Sequence, residues 1–158
     1  MDTILKNNKI NEIIGKVDFI FSDKKNIMKI KNHVASHIAV PEDKVCKREI
    51  GIIDDMRICL VNGCEVGVKF YMDFVEGGND AVYGTNSEIA DAHFIPNGEI
   101  WLDANINAAM LRFICVHEIY ERMLMKYHGI RYDVAHRLAN ELEKRLKRQF
   151  LDDQLSNH

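Results

Sequence analysis

The sequence contains few of the residues that interrupt regular structure. Only 2 of its 158 residues are proline and 9 are glycine, which is the composition of an ordinary folded protein and not of a disordered chain. Its 4 cysteines show neither CxxC spacing nor the density of a secreted disulfide scaffold, so we expect reduced thiols in a cytoplasmic protein. No segment approaches the ~18 consecutive apolar residues of a membrane span. A membrane is therefore not an expected partner.

The chain also lacks a strong net charge. Its formal net charge is -3 at pH 7, with 28% charged and 47% hydrophobic residues. This balance gives no electrostatic reason to expect nucleic acid as a partner. A chain of this length can bury one sizeable core, and it contains no internal repeat or low-complexity linker. We therefore predict a single domain over residues 1–158.

The predicted fold class is α+β, in three parts. Residues 1–40 are expected to form N-terminal helices, residues 52–103 a small antiparallel sheet with a long loop, and residues 105–150 an antiparallel helical hairpin. This order follows from the periodicity of the apolar residues, which changes from helical to strand-like and back along the chain. The helical hairpin is the part that carries the candidate site.

Two helices are predicted in the N-terminal part. Isoleucines and a leucine recur on one side of residues 2–15, which favours a first amphipathic helix. Ser22 and Asp23 are suitable caps for a second helix that runs to about Ala39, where Pro41 stops it.

The clearest strand signal surrounds Asn62-Gly63. The segment "RICLV-NG-CEVGVKFYMDFV" places two β-rich runs around this pair, which is the strongest short-range mark of a tight hairpin. Residues 76–98 follow with little periodicity, and a loop of that length is typical of a functional segment or a lid. A short strand, "EIWLD", is predicted at residues 99–103.

The helical hairpin brings polar residues into an apolar setting. Its first helix is predicted over residues 105–128, with Gly129 placed to end it, and its second over residues 132–150. In an antiparallel pair folded about Ile130, residues whose numbers sum to 260 lie at the same level. This rule and the helical phase bring four side chains together on one patch: His117, Glu121, His136 and Glu143. Glu118 lies one position round the helix from His117, one turn from Glu121.

These residue types point to a divalent metal. Imidazole nitrogen and carboxylate oxygen are good ligands for zinc, with manganese and iron as alternatives. We assign His117, Glu121 and His136 as ligands and Glu118 as the base that takes a proton from metal-bound water. Glu143 is either a fourth ligand or a residue that orients a ligand. The function that follows is a metal-dependent hydrolase.

The segment "HEIYE", preceded by "EIWLD", resembles the active-site region of zincin metallopeptidases of the Glu-ligand type. It has HExxE where HExxH is usual, with Glu121 at the position of the second histidine. The resemblance implies a peptide or amide bond as substrate, and a further ligand from the following antiparallel helix. Glu141 and Glu143 both have the spacing, and helical phase favours Glu143. It also implies that "EIWLD" is the edge strand lining the substrate cleft.

A second resemblance covers residues 77–143. The string "GGND…FIPNGEIWLD…HEIYER…YDVAHRLANELE" is similar to small proteins of phage and mobile elements that share HExxE and YDxAHxxAxxxE elements. This resemblance implies that His136 and Glu143 belong with the HExxE residues. It also keeps open an alternative function, a non-catalytic interaction protein. In that case the His/Glu cluster is a structural metal site or a hydrogen-bond network with Arg122 or Arg137.

Overall fold

The computed structural model describes residues 7–35, 45–70, 77–78 and 95–157. Within these ranges the chain forms five helices and four strands, and the α+β class predicted from sequence is confirmed. Their bounds in chain order are α1 (Asn7–Ser22), α2 (Lys24–Ala35), β1 (Arg48–Ile53), β2 (Met56–Val61), α3 (Gly63–Phe70), β3 (Gly77–Gly78), β4 (Glu99–Asp103), α4 (Ala108–His128) and α5 (Tyr132–Ser156). None of the helices in these ranges has both the length and the apolar character that crossing a bilayer requires.

The four strands form one mixed sheet in the order β1-β2-β4-β3. β1 and β2 are antiparallel and are joined by a turn in which Asp54 takes a left-handed conformation, with φ 56°. β2 and β4 are parallel, so the expectation of an all-antiparallel sheet is wrong. β4 pairs with β3 on its other side and is not an edge strand in the described sheet, contrary to the expectation for "EIWLD".

The predicted hairpin at Asn62-Gly63 is also wrong, because a helix begins there. The side chain of Asn62 caps α3 by accepting hydrogen bonds from the backbone N–H groups of Cys64, at 3.0 Å, and Glu65, at 3.4 Å. Gly63 lies against β4, where a Cβ atom would stand 2.4 Å from Oδ2 of Asp103. The parallel pairing of β2 with β4 requires the chain to leave the sheet at this point. Residues 71–75, the rest of the predicted second strand, lie outside the described ranges.

The helices and the sheet enclose α4. Alternate residues of the central strands, Ile58, Leu60, Ile100 and Leu102, are fully buried on the face that α1 and α4 cover. The opposite face carries a smaller cluster that includes Trp101 and Val66 of α3. Each fully buried aliphatic side chain contributes about 1.5–3 kcal/mol relative to exposure. α4 is thereby buried between α1, α5 and the sheet, as its apolar sequence predicts.

Both ends of α4 are stopped by local signals. Its first turn is capped by the side chain of Asn107, which accepts a hydrogen bond from the backbone of Ala109 at 2.7 Å. Its last residue is followed by Gly129 in the left-handed conformation, φ 64°, whose N–H bonds to the carbonyl of Leu124. The predicted end of this helix is confirmed, and the three-residue link to α5 leaves the two helices antiparallel.

The N-terminal helices differ from their predicted bounds. α1 continues past Gly15 to Ser22 because Val17 and Ile20 extend its buried stripe, and this burial outweighs the ~1 kcal/mol cost of a helical glycine. Asp23 caps α2 as predicted, accepting a hydrogen bond from the backbone of Lys25 at 2.9 Å. Pro41, the predicted stop, lies outside the described residues.

Candidate metal centre

Three potential ligands converge where α4 packs against α5. Nε2 of His117 lies 3.1 Å from Oε2 of Glu121, which stands one helical turn later on the same face of α4. Nδ1 of His136, from α5, lies 2.8 Å from the same oxygen. The fully buried Ala135 and Ala139 let the helices approach closely enough for these longer side chains to meet. Two helices therefore contribute to one cluster, as the antiparallel alignment predicts.

The burial of the three side chains is uneven. His117 and Glu121 are 5% and 9% exposed, whereas His136 is 40% exposed and forms the outer side of the cluster. The ring of His136 stacks on Tyr132, with centroids 5.3 Å apart and 20° between planes, and meets His117 edge-on. These ring contacts restrict the orientation of the exposed imidazole. The cluster is thus closed inside the helix pair and open at His136.

Glu143 lies on the other side of His117. Its Oε1 is 3.0 Å from Nδ1 of His117, so the predicted level pairing of these residues is observed. The two atoms are at ion-pair distance, yet Nδ1 has no aligned hydrogen-bond partner, because the N–H bond does not point along the line that joins them. Glu121 and Glu143 therefore contact different nitrogens of the His117 ring.

The electrostatics of this arrangement favour a charged imidazole. Burial lowers the pKa of His117, but the carboxylates of Glu121 and Glu143, one beside each ring nitrogen, and the charge of Glu118 raise it to about 10. Burial raises the pKa of Glu121, and its bonds to His117 and His136 lower it to below the ordinary value. With no cation bound, the buried core of the cluster is a carboxylate–imidazolium pair.

The donor set fits a divalent cation. The ligand atoms of His117, Glu121 and His136 all lie within 4.8 Å of one another. In a tetrahedral zinc site, bonds of about 2.0–2.1 Å place neighbouring ligand atoms about 3.3 Å apart. The two observed separations, 3.1 and 2.8 Å, are hydrogen-bond distances that need to lengthen only slightly. The cluster could therefore hold a metal ion.

Glu118, the predicted base, is buried beside the cluster. It follows His117 in the chain and retains 8% exposure. The pKa of Cys115 is raised by burial first and by the charge of Glu118 second. The same charge raises the pKa of His117. Glu118 thus lies close to the imidazole without belonging to the three-residue group.

The cation that binds Glu143 is a residue that sequence reasoning missed. Nζ of Lys147 lies 2.6 Å from Oε2 of Glu143. Of the two arginines considered from sequence, Arg137 is exposed, and Arg122 lines a small gap beside the β1–β2 turn. The i,i+4 spacing from glutamate to lysine was a usable signal, since such pairs are neighbours on a helix.

Comparisons with protein-family models, with curated proteins and with solved structures gave no match to this chain.

Proposed function

We propose that the protein binds one divalent transition metal, zinc in the first place, through Nε2 of His117, Glu121 and Nδ1 of His136. The observation that carries this proposal is the convergence of their three ligand atoms within 4.8 Å from two different helices. Two nitrogens and one carboxylate oxygen form a donor set that suits zinc better than magnesium or calcium, which prefer all-oxygen sites. Manganese and iron remain the alternatives, because they accept the same mixed donors.

Glu143 would orient His117 in this site. Of the two roles left open by the sequence, the contact with Nδ1 favours this one, because a ligand that binds through Nε2 keeps a proton on Nδ1 and donates it to an acceptor. Such carboxylate partners hold the ring in position and raise its basicity. The predicted fourth-ligand role would require Glu143 to leave His117.

The reaction that we propose is hydrolysis of a peptide or amide bond. Three protein ligands leave a tetrahedral cation one position for water, and a divalent cation lowers the pKa of that water toward neutrality. Glu118 would act as the general base and accept a proton, since it is buried beside His117. His136 would form the side from which substrate approaches, because it is the exposed member of the cluster.

A second candidate is a non-catalytic interaction protein of a phage or mobile element. One observation favours it: Oε2 of Glu121 already contacts both imidazoles, so the cluster can join α4 to α5 as a hydrogen-bond network.

Metal analysis separates a metal site from a hydrogen-bond network. Protein purified without an affinity tag should contain close to one zinc, manganese or iron per chain, and chelation should lower its melting temperature. Glu121→Gln should lose the metal while the exposed Glu141→Gln retains it. The proposal is wrong if the purified protein contains no metal and neither chelator nor added zinc changes its melting temperature.

A catalytic site is separated from a structural one by Glu118→Gln. We expect this variant to keep its metal and its melting temperature but to lose cleavage of unstructured peptides, followed by mass spectrometry. Glu141→Gln, which alters an exposed glutamate, is the matched control and should cleave like the wild type. Equal cleavage by both variants would exclude Glu118 as the base.

A further inference from the structure

Glu143 contacts a different partner with each of its carboxylate oxygens. Oε1 lies 3.0 Å from Nδ1 of His117 on α4, and Oε2 lies 2.6 Å from Nζ of Lys147 on α5. The side chain of Glu143 is 19% exposed and that of Lys147 is 32% exposed. The carboxylate is thus held between the imidazole of the candidate metal site and an ammonium group near the surface.

Helical geometry singles out Lys147 among the cations of α5. It follows Glu143 by four residues, which places both side chains on one face. Lys144, Arg145 and Arg148 belong to the same basic segment but are exposed. Lys147 differs from them in being partly buried against the carboxylate that contacts His117.

We infer that Lys147 is a positioning residue of the metal site. By binding Oε2 of Glu143, it holds Oε1 against Nδ1 of His117 and thereby leaves Nε2 for the cation. A glutamate side chain has several rotatable bonds, and a partly exposed carboxylate without its lysine would gain hydration and rotamer freedom by turning to solvent. The inference rests on the proposed metal site and adds a residue outside the predicted set.

The positioning role and the plain charge of Lys147 have opposite effects on zinc affinity. Removing a positive charge near a cation site favours cation binding through the Coulomb interaction. Removing a positioning residue weakens binding, because His117 is then less well oriented. The sign of the change therefore separates the two effects, and Lys144→Met provides the reference for charge removal alone.

The test measures zinc dissociation constants of the full chain by competition with a chromophoric chelator. Lys147→Met should raise the Kd about threefold to fivefold, as expected for a partly exposed ion pair. Lys144→Met should leave the Kd unchanged or lower it, and Lys147→Arg should restore most of the affinity. An unchanged or lower Kd for Lys147→Met would overturn the inference, as would an equal loss in Lys144→Met.

A second readout does not depend on the metal. The side-chain ¹⁵N resonance of Nδ1 in His117 should shift in Lys147→Met and stay in place in Lys144→Met, in protein whose melting temperature confirms folding. An unchanged Nδ1 resonance overturns the inference whatever the zinc affinity. If wild-type protein binds no zinc, the proposed function fails, and this resonance alone decides whether Lys147 positions Glu143 against His117.

Discussion

Zinc binding to this chain should strengthen steeply with pH, because a proton occupies the site first. The carboxylates around His117 outweigh its burial and raise its pKa to about 10, so the imidazole is protonated in metal-free protein at pH 7. Zinc must displace that proton from Nε2. The apparent Kd should therefore fall about tenfold per pH unit, or about a hundredfold from pH 7 to 9. An imidazole with an ordinary pKa of about 6.5 would change it only about 1.3-fold.

The measurement is a competition titration at several pH values, with a chelator whose own protonation is known. Calorimetry in two buffers of different ionisation enthalpy would count the protons released, and we expect about one near pH 8. Glu143→Gln removes a carboxylate that raises the pKa of His117, so its plot of log Kd against pH should be flatter. Glu141 is exposed on the same helix, so Glu141→Gln should keep the wild-type slope.

A wild-type Kd that changes less than about threefold from pH 7 to 9 would refute this reasoning. It would mean that the three glutamates do not hold a proton on His117 in the metal-free protein. A steep slope that persists in Glu143→Gln would instead show that the contact between Glu143 and His117 does not control the titrating group.

Four further predictions concern stability. In chelator, the protein should lose stability as pH rises from about 7 to 10. The raised pKa of His117 contributes stability that is complete below pH 6.5 and is lost as pH passes about 10. Urea unfolding at several pH values checks this, and His117→Asn should lack the pH dependence. Ile119→Ala removes a side chain of α4 that is 1% exposed and should cost about 2–5 kcal/mol in the same assay. Gly63→Ala should lower the melting temperature, because its Cβ would meet Asp103 at 2.4 Å. Gly15→Ala, whose added Cβ would come within 4 Å of no atom apart from its neighbours in the chain and the backbone of α1, should raise the free energy of unfolding by about 0.5–1 kcal/mol.

The helical hairpin could be predicted because its signals are local. The apolar period of α4, the stop at Gly129 and the apolar stripe of α5 all lie within one or two turns of the residues that they control. A short link leaves an antiparallel alignment, which places His117 level with Glu143. Their 3.0 Å contact is therefore a consequence of sequence pattern and connection length.

The error at Asn62-Gly63 has a non-local cause. Asparagine before glycine suits a tight hairpin and also suits the start of a helix, since an asparagine side chain can cap the first turn. The helix forms in place of the hairpin because β4 pairs in parallel with β2 and brings Asp103 beside Gly63. No residue near Asn62 in the sequence carries that information.

The sequence by itself determined which polar side chains share the α4–α5 interface, because helical period and chain reversal are properties of neighbouring residues. Only the tertiary structure decided which nitrogen of His117 each carboxylate contacts, and that Lys147 binds Glu143. Those choices depend on side-chain rotamers and on the distance between the helices, which the packing of Ala135 and Ala139 sets. Rotamers and interhelical distance are properties of the packed chain, and residue spacing alone does not specify them.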